Sequence, residues 1–378
     1  MGGGLMQLVA YGAQDVYLTG NPLITFFKVI YRRHTNFAVE SIEQTFNGST
    51  SFKGSEKKVT ATISRNGDLI TNAYLEITLP DPAGSGDYYN NVGHNLIKSV
   101  ELEIGGQRID KWYSEMLNAW MELTLPEEKK AGYKTMTGCE PSATAVTSKG
   151  GTLYIPLQFF FCRNVGLALP LIALQYHEVK FHVEFRSYSD LTATPHTTDD
   201  PTVKLYVDYV YLDTDERRRF AQVSHEMLIE QVQFTGEEAV TAAKYNNVKL
   251  NFNHPVKELI IMADNGDNAS SRLTYLALDK MKLMLNGHER FSERDATYFK
   301  LVQPYQHHTR IPSNNIYVYS FALKPEEHQP SGTCNFSRID NATLSIKTKA
   351  STTRVLVYAM SYNVLRIMSG MGGLAFSN

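Results

Sequence analysis

Three segments of the chain recur further along it in the same order. In the first pair the second copy has one inserted residue; in the other two pairs the copies have equal length. The pairs are residues 42–48 with 229–236, 100–106 with 281–287, and 205–211 with 356–362. Because an ordered set of repeats is the signature of a duplicated unit, the sequence predicts two similar domains in tandem.

The repeated segments are strands by their alternation. Val100, Leu102 and Ile104 alternate with glutamates, which places apolar side chains on one face of a half-buried strand. The same pattern predicts strands at residues 75–79, 179–185, 203–212, 248–252, 281–285, 316–321 and 343–347. The 22 tyrosines and 18 phenylalanines agree with a β-rich chain. We interpret the aromatic strands at 154–161 and 206–211 first as core, with the alternative that some of their residues face another subunit.

Helical signals are few and short. A cap at Asn21 before Pro22, an apolar stripe over residues 116–121, a cap at Asp213 and a cap at Ser292 with Asp295 predict four short helices. Each duplicated domain would span about half of the 378-residue chain. A domain of that length with about eight strands fits a jelly roll better than an immunoglobulin-like sandwich, which has about 100 residues. The predicted fold is all-β: two tandem eight-stranded jelly rolls with a few short helices in the loops and the linker.

Charge and cysteine content exclude several classes of function. The chain has 37 basic and 39 acidic residues, a net charge of −2, so no basic surplus is available for bulk nucleic-acid binding. The basic run at residues 217–219 is interpreted as a helix whose arginines pair with Asp213, Asp215 and Glu216 or with a neighbouring chain. Cys139, Cys162 and Cys334 form no CxxC motif and are predicted to be free, inert thiols in a reducing compartment.

No motif predicts catalysis. His177 and His182 are five residues apart on a predicted strand, so they point to opposite faces and fit an ordinary strand better than a zinc site. His307 and His308 are interpreted as part of a solvated loop. The His-x-His pair of a metal-binding bicupin and the Gly-x-Ser-x-Gly motif of a hydrolase are both absent. We therefore expect no catalytic residue, cofactor or metal.

Longer motifs at both ends and in the middle resemble one family. The stretches are residues 3–15 (GGLMQLVAYGAQD), 19–37, 228–236 (LIEQVQFTG) and 361–366 (SYNVLR). They resemble the major capsid proteins of nucleocytoplasmic large DNA viruses. Many members are longer, so this chain resembles a compact member with modest outward-facing loops.

The resemblance implies a structural protein without enzymatic activity. It implies a homotrimer, the pseudo-hexagonal capsomer, that tiles an icosahedral shell over an internal viral membrane. The implied partners are neighbouring capsomers, minor capsid proteins and a penton protein, without sequence-specific nucleic-acid binding. The implied location is the virion capsid, assembled in the host cytoplasm. The alternative from another class is a tandem β-sandwich that binds glycans through exposed tyrosine and tryptophan side chains.

The predicted domains are an N-terminal arm (1–24), a first jelly roll (25–213), a linker (214–226) and a second jelly roll with a short C-terminal tail (227–378). The arm mixes glycine with apolar residues and cannot form a core alone. We expect it to dock on neighbouring subunits or on minor capsid proteins.

Overall fold

The computed structural model describes residues 2–81, 88–89, 91–138, 151–192, 200–266, 272–349 and 352–377. The chain divides into two compact units, Met1–Asn36 and Phe37–Asn378. The predicted boundary between arm and first jelly roll lies at residue 25, but residues 25–36 belong to the N-terminal unit and contain no helix or strand. The domain boundaries given above stay predictions.

The N-terminal unit contains two short helices that bury no residue, α1 (Gly3–Val9) and α2 (Val16–Thr19). Its large apolar side chains are exposed, Phe26 and Phe27 to 90% and 97%. The helix predicted from Asn21 and Pro22 is wrong. Asn21 has a φ of 50°, a left-handed conformation that asparagine tolerates, and it turns the chain after α2 instead of capping a new helix.

The first jelly roll consists of antiparallel strands in two sheets. Its strands are β1 (Phe37–Gln44), β2 (Phe46–Asn47), β3 (Lys57–Thr62), β4 (Leu69–Leu79), β5 (Ile97–Ile104), β6 (Gln107–Tyr113), β7 (Gly151–Pro156), β8 (Leu169–Pro170), β9 (Val179–Phe185) and β10 (Thr202–Leu212). One sheet has the order β1-β10-β4-β7, with β8 paired to β4, and the other has the order β2-β3-β9-β5-β6. Every second residue of β9 is buried, as its alternation predicts.

The second jelly roll repeats this arrangement. Its strands are β11 (His225–Ala239), β12 (Tyr245–Lys249), β13 (Pro255–Asp264), β14 (Leu278–Leu285), β15 (His288–Asp295), β16 (Tyr317–Ser320), β17 (Cys334–Asn335), β18 (Ala342–Thr348), β19 (Arg354–Met368) and β20 (Met371–Leu374). The sheets have the orders β11-β19-β13-β16 and β12-β18-β14-β15, with β17 and β20 as short additions. If the short strands are left out, each sheet in one jelly roll matches a sheet in the other, strand for strand, so the predicted double jelly roll is confirmed.

The sequence repeats occupy corresponding places in the two jelly rolls. The hairpin between β5 and β6 turns at Gly105 and Gly106, with φ of 58° and 85°. The hairpin between β14 and β15 turns at Asn286 and Gly287, with φ of 50° and 80°. Two successive residues with positive φ match the right-handed twist of a hairpin, which explains why both copies use glycine or asparagine here.

Helices fill the connections between strands. They are α3 (Val92–Leu96), α4 (Ser114–Thr124), α5 (Glu127–Thr137), α6 (Phe160–Arg163), α7 (Thr214–Gln222) and α8 (Gln303–His307), with a π-helical turn at Tyr298–Val302 before α8 and 3-10 turns at Val165–Leu167, Tyr188–Asp190 and Phe336–Arg338. Two predicted helices are confirmed: α4 covers the apolar stripe, and Asp213 caps α7 by accepting from the Thr214 N–H at 2.8 Å.

Two other local predictions are wrong. Ser292 does not cap a helix, because β15 continues to Asp295; the Asp295 carboxylate accepts from the Thr297 N–H and starts the helical segment there. The strand predicted over residues 154–161 ends at Pro156, which has no N–H to donate to a ladder, and Phe160 lies in α6.

Candidate functional site: the junction between the two jelly rolls

Helix α4 lies between the jelly rolls and is buried on most sides. It follows β6 directly, and its buried apolar side chains are Met116, Leu117, Ala119, Trp120 and Leu123. The outer face of the β11-β19-β13-β16 sheet contributes Ile260, Met262 and Tyr358 to the same apolar cluster. The core of the first jelly roll therefore continues across the junction, whereas the inner face of that sheet belongs to the separate core of the second jelly roll.

Aromatic rings connect the two sides. Tyr113, at the end of β6, contacts Phe234 of β11 with ring centroids 5.0 Å apart and Tyr358 of β19 at 5.9 Å. Phe234 and Tyr358 stack at 4.4 Å. Such pairs add to the burial of apolar area and have a preferred geometry, so they fix the angle between the jelly rolls as well as their contact.

A buried carboxylate on α4 accepts from both jelly rolls. Glu115 pairs with Arg186 of the first jelly roll at 3.2 Å. Tyr358 of the second jelly roll donates to its other oxygen at 3.4 Å, and Tyr275 donates to its backbone carbonyl at 3.4 Å. Burial, followed by the charge of Glu115, raises the pKa of both tyrosines well above the usual value, so they stay protonated and remain donors.

Asp110 joins β6 to β11. Its carboxylate accepts from the Val232 N–H at 3.0 Å and from the indole N–H of Trp112 at 2.8 Å. Burial raises the pKa of Asp110 to about 6 even though these hydrogen bonds favour the carboxylate. Gln231 donates to the backbone carbonyl of Ile109 next to it, so backbone and side-chain bonds together hold β6 against β11.

A second charged cluster lies beside the tryptophans. The Arg163 guanidinium lies 5.6 Å from the ring centre of Trp112 and 5.2 Å from that of Trp120. It pairs at 2.7 Å with Glu230 of β11, whose other oxygen accepts from the buried Lys257 at 2.6 Å. Burial raises the pKa of Glu230, but Arg163 and Lys257 outweigh it, so the net shift is downward. The cluster borders a cavity of about 110 Å³ lined by Phe160, Arg163, Asn164, Leu167, Glu230, Glu326 and His328.

The C-terminal end of α4 is capped by the other jelly roll. Arg310 donates from Nε to the Glu122 carbonyl at 2.8 Å and from its backbone N–H to the Leu123 carbonyl at 3.0 Å. Asn314 donates to the Glu122 carboxylate at 2.7 Å. A helix end leaves carbonyls without partners and carries partial negative charge, so an arginine from the second jelly roll stabilises the junction at this point.

The histidines singled out in the sequence lie apart. His182 contacts Glu103 at 2.9 Å and Thr60 at 2.8 Å on the sheet surface, while His177 contacts the Gly372 carbonyl at 2.9 Å. In the described part of the chain, no group of three or more His, Cys, Asp or Glu is placed to hold a metal ion.

His308 does not lie in a solvated loop, so that interpretation is wrong. Its side chain is fully buried, with Nε2 2.9 Å from Glu258 and Nδ1 2.9 Å from Glu326. Burial opposes the positive charge, but the two carboxylates outweigh it and raise the pKa of His308 to about 9. The imidazolium is therefore the main form at neutral pH. The sequence signal that was overlooked is the charged pair Lys257 and Glu258 inside the apolar run of β13.

Among the described residues, the cysteines and the basic run singled out in the sequence have structural roles. Burial raises the pKa of the Cys162 thiol to about 12, and Cys139 lies outside the described residues. Arg217 pairs with Asp68 of the first jelly roll at 3.0 Å, not with the acidic residues of its own helix. The junction positions two sandwiches through buried ion pairs and aromatic contacts. No helix among the described residues is long and apolar enough to cross a membrane.

Comparisons with known proteins agree with this geometry. Residues 25–213 match the family model of the major capsid protein N-terminus, and residues 216–373 match that of the large eukaryotic DNA virus major capsid protein. The major capsid protein of Pyramimonas orientalis virus is 57% identical over 406 aligned positions that cover 100% of both chains. That of Paramecium bursaria Chlorella virus 1 is 45% identical over 444 positions, also with 100% coverage of both.

Solved structures give the same result. The crystal structure of PBCV-1 VP54, fitted into a reconstruction of the virophage Sputnik, superposes with a TM-score of 0.84 at 40% identity, covering 94% of this chain and 100% of that one. The Faustovirus major capsid protein, at 13% identity and a TM-score of 0.76, shares the fold over 97% of this chain and 96% of its own. None of these relatives supports the glycan-binding alternative. The chain therefore belongs to the family of large eukaryotic DNA virus major capsid proteins.

Proposed function

We propose that this chain forms a closed homotrimer, a pseudo-hexagonal capsomer that tiles the icosahedral shell of a large DNA virus. The observation that carries the proposal is the repetition of one strand order in both jelly rolls. Three copies of a chain with two similar domains place six similar blocks around one axis. A block with six nearly equal sides can pack edge to edge with six neighbours. A threefold block with unequal sides packs less well in this way.

The rigid junction supports this role. Buried ion pairs and stacked rings hold the two jelly rolls of one chain at a fixed angle, so each copy presents its outer surfaces in one geometry. A cyclic trimer is closed, whereas contacts between trimers stay open for growth of a lattice. We expect the permanent contacts within the trimer to bury on the order of 2,000 Å² or more, and lattice contacts to be smaller and repeated many times.

The N-terminal arm supplies a second kind of contact in this proposal. Its exposed apolar side chains fit docking on neighbouring capsomers, minor capsid proteins or a penton protein. The proposal places an internal viral membrane beneath the shell, assembly in the host cytoplasm, and no catalytic activity in the chain. The net charge of −2 agrees with a wall that does not bind the genome through its phosphates.

Light scattering of the purified protein tests the trimer. A trimer has a mass near 128 kDa, three times 42.6, and should persist on dilution because its interface is permanent. Negative-stain images should show a hexagonal outline of about 75 Å, from six sandwiches of about 25 to 30 Å each. A stable monomer at low micromolar concentration would count against the proposal.

Deletion of residues 1–24 tests the arm separately. The shortened protein should stay trimeric and keep its thermal stability, while assembly into shells should be impaired. A full-length variant in which the apolar residues of the arm are replaced by serine controls for the loss of chain length. If the deletion unfolds the protein instead, the arm is part of the first sandwich and not a docking segment.

A further inference from the structure

Among the described residues, the outer sheet face of the first jelly roll is partly exposed, whereas the corresponding face of the second jelly roll is covered. In the second jelly roll, the outer face of β11-β19-β13-β16 packs on α4. The corresponding outer face of β1-β10-β4-β7 carries Tyr74, Tyr154 and Tyr206, with ring centroids 6.4 and 5.3 Å apart. Val39 on the edge strand β1 is 56% exposed. These four residues form what we call the tyrosine face.

The second jelly roll also has an exposed counterpart of α4. The connection from β6 to β7 contains α4, and the connection from β15 to β16 contains the π-helical turn and α8. Phe299 is buried and anchors this segment, but Leu301, Val302 and Tyr305 are 42%, 39% and 78% exposed. Leu323, 73% exposed, lies at the end of α8, where His307 contacts its carbonyl at 2.9 Å. Leu301, Val302, Tyr305 and Leu323 form what we call the helical patch.

We infer that the helical patch of one copy packs on the tyrosine face of the next copy, as α4 packs on the corresponding sheet within the chain. The inference rests on the proposed trimer and names its surfaces. The occupant is a second copy of this chain because the internal duplication shows what covers the equivalent sheet: the helical connection of the neighbouring jelly roll. The contact joins two different surfaces, so it closes into a ring when three copies give six alternating jelly rolls.

The chemistry of the two surfaces fits a contact that forms after folding. Tyrosine offers a large ring at low entropic cost, and its hydroxyl bonds to polar groups at the edge of the ring: Tyr206 donates to Glu43 at 3.4 Å, and the Tyr74 hydroxyl lies 3.4 Å from that of Ser41. The helical patch supplies aliphatic groups and one more tyrosine. Aromatic side chains are enriched at the centre of stable interfaces, so the tyrosines of both surfaces are expected to contribute most to this contact.

Photo-crosslinking tests the contact directly. We would replace Tyr305 by p-benzoylphenylalanine, irradiate the purified protein and separate it on a denaturing gel. The inference predicts a product of two chains, 85.2 kDa or twice 42.6, whose crosslinked peptides lie in β1, β4, β7 or β10. The control carries the probe at Tyr245, which is 57% exposed on the other sheet of the second jelly roll and should give no such product.

Two substitutions give an independent measurement. Tyr305→Asp should shift the protein from trimer to monomer at a concentration where the unmodified chain is trimeric, and Tyr245→Asp should leave it trimeric. Circular dichroism of the Tyr305→Asp monomer should match the parent, because the side chain is exposed.

The outcomes separate this inference from the proposed function. A trimer whose crosslinks map elsewhere, or that survives Tyr305→Asp unchanged, overturns the surface assignment and leaves the trimer standing. An unmodified chain that is monomeric overturns both. A trimer that gives no crosslinked product of two chains also overturns the inference.

Discussion

Removing the buried His308 ion pair should change how the stability of this protein depends on pH. The pKa of His308 is about 9 in the folded chain, against 6.5 for an ordinary histidine. The folded state therefore binds the proton more tightly, and the difference of 2.5 units corresponds to about 3 kcal/mol. Because the folded pKa is the higher one, this contribution is fully present below pH 6.5 and is lost as the pH rises through 9.

The comparison should use a variant that leaves no buried charge alone. Replacing only the histidine would strand the fully buried Glu258 carboxylate, so Glu258→Gln and His308→Gln are combined. Glu326 is 21% exposed and keeps its two hydrogen bonds from Thr309 in this variant. Guanidinium unfolding at fixed protein concentration, at intervals from pH 6 to 10, gives the free energy of unfolding of each protein. The parent should lose about 3 kcal/mol relative to the double variant across this range.

His307→Gln is the matched control, because this neighbouring histidine contacts only a backbone carbonyl among the described residues. Its profile should run parallel to that of the parent. The reasoning fails if the double variant also runs parallel to the parent, or if the parent gains stability over the double variant as the pH rises.

Three further predictions concern the junction, a hairpin and a thiol. Glu115→Gln strands its buried arginine partner and should cost on the order of 3 kcal/mol in chemical unfolding, whereas the exposed Glu128→Gln should cost almost nothing. Gly106→Ala should cost about 1 kcal/mol for its positive φ alone, and Gly105→Ala should lower the thermal midpoint further because a side chain there meets a histidine ring. Since burial raises the pKa of Cys162 to about 12, iodoacetamide at pH 8 should label it, by peptide mass spectrometry, only after unfolding; labelling of the folded protein at the rate of an exposed thiol would contradict this.

The sequence alone predicts the strands and their duplication well because both depend on local patterns. Alternation shows which residues of β9 share a face, and two repeated turns locate the same hairpin in both jelly rolls. Alternation cannot show which face of a sheet another element will cover. Tyr154 and Tyr206 were therefore interpreted first as core, although they point outward, while Tyr209 on the same strand as Tyr206 is fully buried. For the outward pair, the alternative that they face another subunit stays a prediction.

The junction was predicted less well because it depends on contacts between distant segments. The His308 cluster joins a helix end, a loop and the middle of β13, and no local pattern connects them. The charges inside the β13 run were a usable signal, since a buried charge needs a partner. The identity of that partner is a property of the fold.

The outer sheet faces of the two jelly rolls differ in composition, and the difference follows from which of them is covered by the same chain. At a cross-strand pair of β13 and β19, the second jelly roll has Ile260 opposite Tyr358, both almost completely buried. At the corresponding strands β4 and β10, the first jelly roll has Tyr74 opposite Tyr206, both half-buried. The face in the second jelly roll is covered by its own chain, so its apolar surface is buried as soon as the chain folds. In the proposed trimer the tyrosine face is covered only when another copy binds, and a strongly apolar face would promote unspecific association before that happens. Tyrosine reduces this risk without giving up ring area, so replacing Tyr74 and Tyr206 by isoleucine should increase aggregation of the newly made chain more than it stabilises the trimer.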